Sequence, residues 1–148
     1  MISELIVRYF HFIGIFFVFA SLVSEHLLIE PTMTRKAIRR LSVIDAIFGI
    51  SAVLVLVTGL LLWFSYGKPA VFYSKNPVFH TKVLLFAIIG ILSIYPTLFF
   101  LKNRKGDPTD TVAIPKRVLM LIRFELLLVA IIPLLAVIMA KGIPYTAP

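Results

Sequence analysis

The sequence predicts an all-α protein, a membrane-spanning four-helix bundle of up-down-up-down topology with both termini on the non-cytoplasmic side. Three observations predict it. Four apolar stretches recur along the 148 residues, each of about twenty or more and long enough for about 30 Å of hydrocarbon. Hydrophobic residues make up 60% of the chain and charged ones 15%, where a soluble domain carries about a quarter. The connections between the stretches are short, which sets successive helices antiparallel.

Segment one covers about residues 4–30 and is stopped by Pro31, which cannot comfortably continue a helix. The opening MISEL holds Glu4, lacks a basic stretch and is followed by no small-residue cleavage site, so this run reads as a retained span rather than a signal peptide. Segment two, about 42–66, opens with Ser42 and Asp45 in capping-box spacing and stops at Gly67. Segment three, about 77–102, has Asn76 as N-cap and Pro77 at the first helical position, where a missing N–H costs nothing. Segment four, about 115–141, starts at Pro115 and is followed by Gly142 and Pro144. Residues 1–148 read as a single domain without a long-period repeat.

Arg35, Lys36, Arg39 and Arg40 follow segment one; Lys102, Arg104, Lys105, Lys116 and Arg117 follow segment three. Both groups lie on one side of the bundle. The positive-inside rule makes that side cytoplasmic, in a multi-pass membrane protein. It also accounts for the net charge of +8 without a nucleic-acid partner. Trp63, Phe64, Tyr66, Phe72 and Tyr73 form an aromatic collar at the opposite interface. With no cysteine there is no disulfide, thiolate metal site or cysteine nucleophile.

At about 100° per residue, Arg8, His11, Gly14, Val18, Ser21, Glu25 and His26 share a side of segment one. The rest of that surface is Ile, Phe, Val and Leu, suited to membrane lipid. In segment two, Asp45, Gly49, Ala52, Leu56, Gly59 and Trp63 share a face whose small residues suit a packing seam or a homodimer. In segment three, Lys82 shares the polar side with Phe86, Gly90, Ser93 and Thr97, while His80 points away as an interfacial anchor. Two readings stand for Lys82: a site residue, or a side chain snorkelling to water. Pro96 and Pro133 read as packing kinks. Polar groups at membrane depth need partners in the bundle. They fall into an outer layer of Arg8, His11 and Lys82 and an inner layer of Glu25, His26, Asp45, Tyr95, Arg123 and Glu125. Glu25, His26 and Asp45 are the natural partners of Arg123, as a register-fixing ion pair. Glu125, without a partner at that depth, reads as a protonated, proton-handling acid.

The strings YGKPAVFYSKNPVFHTK, ILSIYPT and RFELLLVAIIPLLAVIMAKG resemble a family of bacterial integral-membrane proteins of unknown function. That family in turn is similar to HemJ-type protoporphyrinogen oxidases and CopD-type membrane domains. HemJ-type proteins are four-span proteins that bind b-type haem, with an essential histidine early in the first span and a Trp-Leu-His-x-Lys motif early in the third. His11 stands at the first place and Val78-Phe79-His80-Thr81-Lys82 at the second. Phe124-Glu125 stands where the family has Asn-Glu, with Lys141 and Pro144 beyond. Val78 replaces Trp, Phe124 replaces Asn and Leu126 replaces Pro. The resemblance implies haem b with His11 as iron ligand, Arg8, His80 and Lys82 as further cofactor-binding residues, and Lys82 and Glu125 as catalytic residues. The substrate would be a porphyrinogen, or electrons would pass to quinone.

Three functions follow as alternatives. One is a haem-dependent redox protein. Another is a carrier of protons or ions; copper fits poorly, since Met1, Met33, Met120 and Met139 are scattered and no thiol is present. The last is a structural or assembly partner without a cofactor.

Overall fold

Four long helices are tied at one end by a small β-clasp and at the other by a short helix and an aromatic cluster. The computed structural model describes residues 1–143; Pro144, expected beyond the last helix, lies outside them. The chain runs α1 (Ile2–Leu28), β1 (Thr32–Thr34), α2 (Arg35–Leu61), a π-helical turn (Leu62–Tyr66), α3 (Ala70–Ser74), α4 (Pro77–Asn103), β2 (Thr111–Ala113) and α5 (Lys116–Ala140). α1, α2 with its π-turn, α4 and α5 are each long and apolar enough to cross a membrane. α1 packs along α2 and α4 along α5, while α2–α4 and α1–α5 contacts close the square. α1 and α4 therefore stand on its diagonal.

Local chemistry places the ends. The Asn76 side chain accepts from the Val78 N–H at 2.9 Å with Pro77 in the first turn, as the sequence predicts. Segment two differs: the helix begins at Arg35, not near Ser42, and its N-cap is Thr34, whose hydroxyl accepts from the Ala37 N–H at 3.2 Å. Ser42 and Asp45 lie buried inside the helix and form no capping box. The reason is the clasp. β1 pairs antiparallel with β2, Thr32 opposite Ala113 and Thr34 opposite Thr111, so the chain turns within a few residues and the basic run is already helical. Segment one accordingly ends at Leu28, with Ile29 extended.

The basic residues then serve the neighbouring helix end. Arg35 donates to the Asn103 carbonyl at 2.7 Å, and Arg39 donates to the Arg104 and Gly106 carbonyls at 2.8 and 2.7 Å. Cations thus satisfy free carbonyls at the negative end of α4. Gly106, at φ +120°, sits against the Arg35 side chain, 2.9 Å from where a Cβ would fall. Next in the turn, the Asp107 carboxylate accepts from the N–H and hydroxyl of Thr109, which hold it below the usual carboxylate range.

Two apolar clusters fill the interior. One, at the clasp end, gathers Ile38, Leu41, Phe100, Val118 and Ile122 around Met33 and Ile114. The other, at mid-depth, gathers Val18, Leu22, Phe48, Ile89, Leu128 and Val129. Large apolar side chains such as Phe16, Ile50, Leu84 and Ile91 stay exposed around the outside, as lipid-facing residues do.

The faces need two corrections. On α2 the buried line runs Ile38, Leu41, Asp45, Phe48, Ser51 and Thr58, while Gly49 and Leu56 of the expected seam face outward. On α4 it runs Phe79, Ile89, Pro96 and Phe100. Lys82, Phe86 and Thr97 lie half-buried at its edge, and Gly90 borders open space. α4 is apolar nearly all round, so its few polar residues are a weak guide to the inward side.

Candidate functional site

The bundle holds two polar layers separated by the mid-depth apolar cluster. At the end where α1 begins and α5 stops, His11 of α1 faces α2. Its Nδ1 lies 2.9 Å from the Thr58 hydroxyl, which donates its own proton to the Leu54 carbonyl at 2.6 Å. The Thr58 oxygen must therefore accept, so the hydrogen-bond network puts the His11 proton on Nδ1 and leaves Nε2 with its lone pair. Gly59 makes room: a Cβ there would fall 3.3 Å from His11 Cε1. Gly59→Val is expected to push the ring off Thr58 and destabilise the fold by about 1–3 kcal/mol, read as a lower unfolding midpoint in graded detergent mixtures.

Lys82 is half-buried, with Nζ 5.4 Å from the Phe79 ring centroid. Its charge and that of Arg8 both act on the His11 ring. Arg8 itself is exposed and pairs with Glu4 one turn away. His80 faces out of this layer. It is exposed, its Nε2 is 2.7 Å from the Ser74 carbonyl, and it joins an aromatic rim in which Trp63 stacks on Phe64 and meets Phe79 edge-on at 4.7 Å. Thr58 and Gly59, which seat His11, carry no sequence signal beyond being small or polar on an apolar helix.

Toward the clasp end, Glu25 of α1, Asp45 of α2 and Glu125 of α5 converge, only 1%, 6% and 1% exposed. The Asp45 carboxyl is close enough to interact with Glu25 and with Thr97 of α4, so all four long helices contribute. Glu125 is within electrostatic reach of both other acids. Oε1 of Glu25 and Oε1 of Glu125 are buried without a hydrogen-bond partner. Among the described residues the ion pairs are Arg8–Glu4 and Arg35–Asp110, and neither touches this cluster.

Three expected members of the inner layer lie elsewhere. Arg123 is exposed on the outer face of α5 and pairs with none of the acids. It stands two residues from Glu125, about 200° around the helix, so an inward acid forces an outward arginine. Tyr95 is 40% exposed, with the Arg117 guanidinium 5.6 Å from its ring centroid. His26 is half-buried at the end of α1, adjacent in sequence to Glu25 but turned off the cluster's line. On the clasp side of the acids, Ser42 is buried one turn before Asp45 on α2, and the Ser42 hydroxyl is 3.4 Å from the Arg104 guanidinium.

A family model describing a predicted membrane protein matches residues 3–144. The chain belongs to the DUF2214 family. Both polar layers of this DUF2214 protein fall within the matched region. No curated protein and no solved structure matches it, and the comparisons show no similarity to HemJ-type or CopD-type proteins.

Proposed function

We propose that this is a proton-handling protein of a bacterial inner membrane, with the clasp end in the cytoplasm and Glu25, Asp45 and Glu125 as the groups that hold and exchange the proton. The observation that carries the reading is the meeting of three acids from three helices, each nearly sealed from solvent, with no cation among them. Three carboxyls so placed can pass a proton from one to the next without an arginine or lysine to fix the charge on any one of them. A structural ion pair would have enclosed Arg123 as well.

The Thr97 hydroxyl and the Glu25 carboxyl flank Asp45, which gives a proton two neighbours to move between. On the clasp side, the Ser42 hydroxyl, one turn before Asp45, is 3.4 Å from the Arg104 guanidinium. Toward the other end, Glu25 and His11 are fourteen residues, about 21 Å, apart along α1, and Val18 and Leu22 in that interval are buried in the dry core. Toward the clasp the acids are capped by the buried Ile38, Leu41, Phe100, Val118 and Ile122, so exchange in either direction needs the packed bundle to open. Ser42 with Arg104 makes the clasp side the more polar of the two. The test is proton flux into proteoliposomes under an imposed pH gradient. The Glu25→Gln/Glu125→Gln variant should be slower by about 100-fold, the weight of a positioned proton-transfer group. Equal rates would remove the reading.

The second reading, haem b, draws on His11. An imidazole fixed through Nδ1 with Nε2 free fits an axial iron ligand, whose other nitrogen is usually held in this way. His11 would hold the group, Lys82 and Arg8 would meet its carboxylates, and a bound haem would supply electron transfer. His80, occupied at Ser74, would take no part. Protein purified with haem supplied should then show a redox-sensitive absorption band that His11→Ala abolishes; colourless wild-type protein removes this reading and leaves the first standing.

A further inference from the structure

We propose that Arg117 and Arg123 hold the phosphate of an anionic phospholipid whose acyl chain lies along Met120, Phe124 and Leu127. These five residues, with Leu121, line an open hollow of about 700 Å³ on the outer face of α5. Met120, Phe124 and Leu127 are 66%, 48% and 57% exposed, on a helix long and apolar enough to cross a membrane.

Arg117 alone would be an ordinary basic residue at a helix start. Arg123 is not, because six residues set it about 9 Å deeper along the axis. The acids at its depth, Glu25, Asp45 and Glu125, are all buried on the inner side. It is thus an exposed cation on an apolar surface, and a charge at membrane depth requires a counter-charge. A phosphodiester fits best: the planar guanidinium fork matches phosphate oxygens, and two long arginine side chains lining one hollow from positions about 1.7 turns apart can reach one headgroup. The Tyr95 ring beneath Arg117, 5.6 Å from centroid to guanidinium, backs that fork from α4. A lipid rather than free phosphate is the occupant because the remaining walls are apolar and side-open to the bilayer. The inference is independent of the carboxyl cluster.

The test uses the full chain in a neutral mild detergent, with thermal unfolding followed after adding phosphatidylglycerol, phosphatidylcholine or sodium phosphate, and native mass spectrometry counting retained lipid. Phosphatidylglycerol should raise the wild-type midpoint more than either other addition. That difference should fall by more than half in Arg123→Gln, vanish in Arg117→Gln/Arg123→Gln together with the retained lipid, and persist in Arg40→Gln, an exposed control at the same end. A phosphatidylglycerol effect that survives the double substitution would overturn the proposal. So would one matched by inorganic phosphate or weakened equally by Arg40→Gln.

Discussion

Replacing Glu125 by leucine is expected to make the protein more stable, by about 1–3 kcal/mol, the penalty carried by a buried polar atom without a partner. Glu125 is 1% exposed and its Oε1 accepts no hydrogen bond. Its neighbours are two further acids, so no cation loses its partner when Glu125 is removed. Leucine has similar bulk, and apolar replacement of buried ionisable groups is often neutral or stabilising. A carboxyl kept only to set helix register predicts the reverse, a loss of about 3–5 kcal/mol on breaking a buried pair. Reversible unfolding in graded mixtures of mild and denaturing detergent reads the sign. Greater stability together with lost proton flux would mark Glu125 as a group retained for function at the fold's expense.

Phe100→Ala is expected to destabilise the protein by about 3–5 kcal/mol, the usual cost of truncating a buried aromatic ring. Phe100 is wholly buried and packs with Ile38 and Leu41 of α2, Val118 and Ile122 of α5, and Met33 and Ile114 of the clasp region. It joins α4 to everything that holds the clasp end shut. Between helices in lipid the hydrophobic effect is weak and packing carries the association, so most of this loss comes from the void left behind. Leu84→Ala is the control: that side chain is 60% exposed on the lipid-facing side and creates no cavity. The same detergent titration should separate the two by several kcal/mol.

The four spans and the start of α4 were legible because their signals are local: an apolar run of bilayer length, an asparagine cap and a proline after it. On α1 the buried side was legible too, since Gly14, Val18, Ser21 and Glu25 recur at helical spacing. The clasp was not, because strands of three residues carry no period, and without it the early start of α2 has no visible cause. Of the inner layer, Glu25, Asp45 and Glu125 were legible as polar groups at one depth, but their partner was misjudged. An arginine at that depth invites pairing with the acids, yet rotation about α5 decides which way it points, and here lipid-facing space was the other choice. His11 was legible as a polar residue and Gly59 as a small one on a seam, but that the two meet, with Thr58 beside them, depends on how two helices pack.

Infrared spectroscopy of the protein in lipid bilayers at neutral pH tests the carboxyl cluster most directly, taken as wild type minus Glu25→Leu/Glu125→Leu so that no new amide band intrudes. The difference spectrum should contain the C=O stretch of a protonated carboxylic acid. A difference holding carboxylate bands alone would mean that both acids are ionised in the folded protein, and would contradict the proposal that Glu25, Asp45 and Glu125 hold a proton among them.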